Sequence, residues 1–150
     1  MGIIEAKLAL LGLTLEAPKP PVANYLGSKR VGELLFVSGR KSELTGKVGE
    51  NVTEDQAKKA ARNTVLLILA IIKNDIADLD LIEEIIKVQG FINSSAEFNR
   101  LPQVLDGASE LLIELFGIDG HHARTATGAA QLPYGATIQL DMILKLKADL

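Results

Sequence analysis

The chain has no cysteine and no tryptophan, and only six aromatic residues, four Phe and two Tyr, among its 150 positions. Without cysteine there is no disulfide, no thiolate nucleophile and no cysteine-ligated zinc. Six aromatics leave little from which to build a base-stacking platform, and a formal net charge of −3 offers no broad basic surface for nucleic acid. Long hydrophobic runs are missing as well. The longest, residues 65–72, falls far short of the roughly 20 residues a bilayer span needs. The opening residues, MGIIEAKLALLGLTLEAPKPP, carry Glu5 and Lys7 early and lack the basic-then-apolar order of a secretory leader. They read as a helix over about residues 3–13, then a segment with Pro18, Pro20 and Pro21. The expectation is a cytoplasmic protein with no membrane contact.

What is present is apolar: 47% of residues are hydrophobic, enough for a real core and high for a small domain. That balance predicts one domain over residues 1–150 with some apolar surface covered by another subunit. After the prolines, NYLGSKRVGELLFVSGR reads as two short strands around Gly32, a hairpin. Thr53, followed by Glu54, Asp55 and Gln56, has the form of an N-cap with acids in the first turn. A helix should then run over about 54–73. Its apolar stripe is Ala57, Ala60, Ala61, Thr64, Val65, Ile68, Leu69 and Ile72, and Lys58, Lys59, Arg62 and Asn63 face solvent. Residues 81–93 read as a strand, with a continued helical turn as the alternative for the front half. Pro102 suits a first helical turn, placing a second helix over about 102–116 with Gly117 and Gly120 beyond its end.

The last stretch, TIQLDMILKLK, alternates with period two and is a half-buried strand. The segment before it, HARTATGAA, sets Arg124 among Ala123, Thr125, Ala126, Thr127 and Gly128. Arg124 has two readings. One is an interface or surface arginine paired with a carboxylate. The other is a planar fork at the floor of a cleft, where Ala126 and Gly128 leave room for a carboxylate or phosphate ligand. Together the elements predict an α+β two-layer domain, a mixed sheet with two main helices on one face.

HARTATGAAQLPYGATIQLDM resembles the C-terminal signature of the Rid (reactive intermediate deaminase, or YjgF) family, also labelled endoribonuclease L-PSP-like. NYLGSKRVGELLFVSGR, AARNTVLLILAIIK and IIKVQGFINSSAEFNRLPQVLDGASELLIELFG resemble further parts of it in the same order, so the likeness covers roughly residues 15–147. The resemblance implies a chorismate-mutase-like fold, a homotrimer with clefts between subunits, and hydrolysis of enamines or imines made from amino acids. It implies no cofactor and no metal. Arg124 matches the arginine that grips the substrate carboxylate, Tyr25 the family tyrosine, and Ser38 with Gly39 the serine–glycine pair. Asp106 lies near a family asparagine, and Ala126 stands where many relatives have cysteine.

The water-activating glutamate falls on Gln139, whose amide can orient a water but cannot take its proton. Asp141, two residues on, shares the face of Gln139 and is the carboxylate that would substitute for it. The resemblance thus implies a deaminase acting on C=N bonds of small 2-imino acids of the 2-iminobutanoate or 2-iminopropanoate type. The alternative is a trimer that binds small carboxylates such as 2-oxo acids without turnover, and RNA cleavage is a third reading that the composition disfavours. His121 and His122 read as strand-capping turn residues, since adjacent histidines point apart and no ligand set completes them. A triad of Ser38, His122 and Asp106 can be drawn on paper but lacks a nucleophile elbow.

Overall fold

A computed structural model describes residues 2–20 and 23–148, so Pro21 of the expected proline segment lies outside the described residues. Eight main elements follow one another: α1 (Ile3–Leu10), β1 (Ser28–Val31), β2 (Leu34–Lys41), α2 (Glu54–Ile76), β3 (Ile82–Asn93), α3 (Leu101–Phe116), β4 (Ala123–Ala129) and β5 (Ile138–Leu146). The strands form one mixed sheet in the order β1-β2-β5-β3-β4. β1–β2 is the expected hairpin, and only β3–β4 pair in parallel, because α3 carries the chain across between them. β5 returns between β2 and β3, antiparallel to both.

Alternation decides which face is covered. Leu35, Val37, Ile85, Val88, Ile92, Ile138, Leu140, Met142 and Leu144 are buried and turn toward α2 and α3. The same helices bury the stripe that the 3.6-residue spacing predicts: Ala57, Ala61, Val65, Ile68, Leu69 and Ile72 on α2, and Val104, Leu105, Ala108, Leu111, Leu112 and Leu115 on α3. The result is the expected α+β two-layer arrangement. The opposite sheet face carries Phe36 from β2, Gln89 and Phe91 from β3, Thr125 and Thr127 from β4, and Gln139, Asp141 and Ile143 from β5. All of these are half-buried or exposed. No helix among the described residues is long and apolar enough to cross a membrane.

Several boundaries have local causes. The Thr53 hydroxyl accepts from the Gln56 N–H while the Gln56 side chain accepts from the Thr53 N–H, a reciprocal cap that starts α2. α1 stops at Leu10, short of the expected residue 13. Gly12 takes φ of +71°, and the Gly12 and Leu13 N–H groups donate back to Ala9 and Leu8. α2 runs three residues past the expected end, to Ile76, and closes with Ala77 at φ +71°.

The lysine-rich face of α2 lies at the surface as the sequence suggests, and two of its cations also reach α3. Lys58 pairs with Glu110 and Arg62 with Glu114, both at 3.2 Å, bridging α2 to α3. The two helices touch backbone to side there: a Cβ on Gly107 would stand 2.0 Å from the Lys58 carbonyl oxygen. α1 is anchored by residues distant in sequence. The Ile3 and Ile4 N–H groups donate to the Asp80 carboxylate at 2.7 and 3.0 Å, Lys7 Nζ donates to the Leu115 carbonyl at 3.0 Å, and Glu5 pairs with Lys73.

Candidate active site

β4 is an edge strand lying beside α3. In the parallel register Arg124 stands opposite Val88, which is buried on the helix side, so the guanidinium turns toward α3. Its Nη1 donates to Asp106 Oδ1 at 2.8 Å and to Ser109 Oγ at 3.2 Å, and Nη2 donates to the Pro102 carbonyl at 3.3 Å. Asp106 and Ser109 are three apart on α3 and therefore share one helix face. His122 is two before Arg124 and shares its strand face.

The histidine completes a chain of hydrogen bonds. His122 Nδ1 lies 2.7 Å from the Gly120 carbonyl oxygen and Nε2 lies 2.9 Å from Ser109 Oγ. A carbonyl only accepts, so Nδ1 carries the proton and Nε2 accepts from the Ser109 hydroxyl. The Ser109 oxygen then accepts from Arg124. Burial pushes the imidazole below its ordinary value; the Gly120 carbonyl opposes this, and the Arg124 charge adds to it. The neutral ring fits its role as acceptor.

Within one chain Arg124 takes the first of its two readings. It is paired with a carboxylate, Asp106. Further along β4, Gly128 lines a cavity of about 520 Å³ with Lys47, Ser94, Phe98, Leu101 and Ala129, and Arg124 is not among its lining residues. Lys47 Nζ at this end is tied to Asn93 Oδ1 at 2.7 Å and to the Ala130 carbonyl at 2.5 Å.

Gln139 and Asp141 lie elsewhere. In register they form rows across the open face, Gln139–Phe91–Thr127 and Asp141–Gln89–Thr125. They share that face, as alternation requires. Burial raises the Asp141 carboxyl above its ordinary value, and the charge of Lys87 pulls the other way. Gly39 sits in a register shift of β2 between Val37 and Arg40, and a Cβ there would come within 3.2 Å of Gln139 Nε2. Ser38 donates from its hydroxyl to the Leu26 carbonyl at 2.5 Å and from its N–H to the Gly27 carbonyl at 2.9 Å. It thereby fastens to β2 the loop that carries the half-exposed Tyr25.

The expected site residues thus fall into two groups within one chain. Asp106, Arg124 and Ala126 gather on the helix side at the β4 edge. Gly39, Gln139 and Asp141 sit on the open face, with Ser38 in β2 and Tyr25 in the loop before β1. The Ser38–His122–Asp106 triad is not assembled, because Ser38 bonds Leu26, His122 bonds Ser109 and Asp106 bonds Arg124. Ser109 and the Pro102 carbonyl were not foreseen. The sequence signal for Ser109 is its three-residue spacing from Asp106, matched by the two-residue spacing of His122 and Arg124. Among the described residues, no three His, Asp or Glu side chains converge as a metal site.

Residues 5–145 match the model of the family described as "YjgF/chorismate mutase-like, putative endoribonuclease". The chain belongs to this family. It is 35% identical over 152 residues to Protein TCP17 of Trypanosoma cruzi, covering 97% of this chain and 95% of that one. The crystal structure of Atu1372 from Agrobacterium tumefaciens, a protein of unknown function, superposes with a TM-score of 0.90 at 37% identity, covering 97% of this chain and 93% of that one. A Shewanella oneidensis protein carried under the same endoribonuclease description gives a TM-score of 0.92 at 28% identity, covering 97% and 100%. The two-layer fold is therefore the YjgF/chorismate-mutase-like one, as the strand signature around Arg124 implies.

Proposed function

We propose that this YjgF-family protein hydrolyses small 2-imino or enamine acids, with Arg124 holding the carboxylate and Asp141 serving the water. The water oxygen adds to the C=N carbon, the C–N bond breaks, ammonia leaves and a 2-oxo acid remains. An imine is already electrophilic, so positioning plus one proton-transfer group suffices. Asp141 carries this reading. Gln139 orients a water but takes no proton, and the half-buried carboxyl one strand repeat away, on the same face, has its proton affinity raised by burial. Arg124 and Asp141 lie on opposite sides of the sheet, so one ligand meets both only if the β4 edge of one copy abuts the open face of another. The family resemblance implies a trimer with clefts between subunits, and the half-exposed Phe36, Phe91 and Ile143 are apolar surface such a contact would cover.

A second reading, a trimer that binds small carboxylates without turnover, draws support from the amide at Gln139. RNA cleavage draws the least: the chain's net charge is −3 and it has only six aromatic residues.

The test is ammonia release from freshly generated 2-imino acids. Wild type should accelerate it, and Arg124→Ala and Asp141→Asn should each lower kcat/KM by roughly 100-fold. An inert wild type with an active Gln139→Glu variant would establish the binding reading instead.

A further inference from the structure

Asp106 changes what Arg124 can accept. Of the five N–H groups of a guanidinium, three are used within the described residues, on Asp106, Ser109 and the Pro102 carbonyl. Two remain for a ligand. Asp106 is held through Oδ1 alone, Oδ2 has no partner among the described residues, and its side chain is 44% exposed against 24% for Arg124. An incoming anion therefore meets a neutral pair whose more exposed half is negative. The rest of the cluster adds no charge, because Ser109 and the Nδ1-protonated His122 are both neutral.

A ligand that brings only acceptors leaves the site with an uncompensated negative charge and sets its oxygens against Asp106 Oδ2. A ligand with an N–H donor on the carbon next to its carboxylate satisfies both partners. Its carboxylate takes the free Arg124 N–H groups, and its ammonium or iminium N–H takes Oδ2. We infer that Asp106 makes this site selective for α-amino and 2-imino acids and against 2-oxo acids of the same skeleton. The inference rests on the proposed function for one point only, the seating of a carboxylate at Arg124. Its consequence for that reaction is direct: hydrolysis replaces the N–H donor facing Asp106 with a ketone acceptor, so Asp106 favours the substrate and expels the product. Asparagine in its place would be neutral and would offer the ketone an N–H.

Isothermal titration of the intact protein with 2-aminobutanoate and 2-oxobutanoate tests this. Wild type should bind the amino acid roughly tenfold more tightly than the oxo acid. Asp106→Asn should move that ratio toward 2-oxobutanoate by roughly tenfold or more, and Asp106→Ser should move it the same way, which guards against a folding defect in either variant. A ratio unchanged in both variants, or a wild type that prefers 2-oxobutanoate, overturns the inference while leaving the Arg124 clamp intact. Arg124→Ala should weaken both ligands. If it weakens neither, the carboxylate seat itself is misplaced, whatever the ratio does. Absence of binding of either ligand to wild type at millimolar concentration overturns both.

Discussion

The helix-side edge at β4 and the open face of the sheet are built on opposite terms. At the edge, Arg124, Asp106, Ser109, His122 and the carbonyls of Pro102 and Gly120 hydrogen-bond one another within a single chain. On the open face, Gln139 and Asp141 lie among Phe36, Phe91 and Ile143 with no helix over them. Half-burying a carboxylate beside apolar side chains costs free energy unless something later pairs with it. The edge is a polar network bonded within one chain, with two Arg124 N–H groups and Asp106 Oδ2 left open among the described residues, and the face is a half-exposed surface of mixed apolar and polar side chains. Family motifs that look continuous in the sequence are shared between these two environments.

The comparison can be broken most severely at Gly107, which lets α3 close on α2 and so fixes where Asp106 and Ser109 stand. Gly107→Ala sets a methyl against the Lys58 carbonyl and should cost about 3 kcal/mol of stability, read from the denaturant midpoint. An unchanged midpoint would mean the helices are free to separate. On the open face, Phe36→Asp should shift the stability of a single chain by less than about 1 kcal/mol, since the ring is already half exposed. If copies meet on this face, the same change should lower the assembly mass in solution to that of one chain; an unaltered mass would place the contact elsewhere.

The smallest effect is a pH dependence at the edge. The folded state holds His122 below its ordinary value of 6.5, so the unfolded chain binds the more protons as pH falls past that value. The His122 contribution is fully present above 6.5 and lost as pH drops through the folded value. His122→Gln should flatten the stability profile there, and a profile identical to wild type would show that the imidazole is not held neutral.

Much of the layer structure is legible in the residues. Period two in TIQLDMILKLK, the alanine and branched-residue stripe of α2 and the Thr53 cap each specify an element by local physics. The sheet order does not follow from such local signals, because nothing in β3 or β5 alone says that β5 will lie between β2 and β3. The site was legible in part. Alternation puts Arg124, Ala126 and Gly128 on one face and Gln139 with Asp141 on one face, but not on which side of the sheet each set falls. That depends on register against Val88 and Phe91. Asp80 as the remote cap of α1 was invisible for a similar reason: the two groups are 77 and 76 positions apart and are brought together only by packing.

The small side chains of β4 have one more consequence. A sheet with open ends can recruit strands from other molecules and aggregate, and the hazard grows with the length and greasiness of the outermost strands. Here the most adhesive strand, IEEIIKVQGFIN, is interior, flanked by β5 and β4. One end of the sheet is β1, four residues long and bearing Lys29 and Arg30. The other is β4, which has no apolar side chain larger than alanine. The sparseness of side chains around Arg124 makes that end of the sheet a poor template for fibril growth.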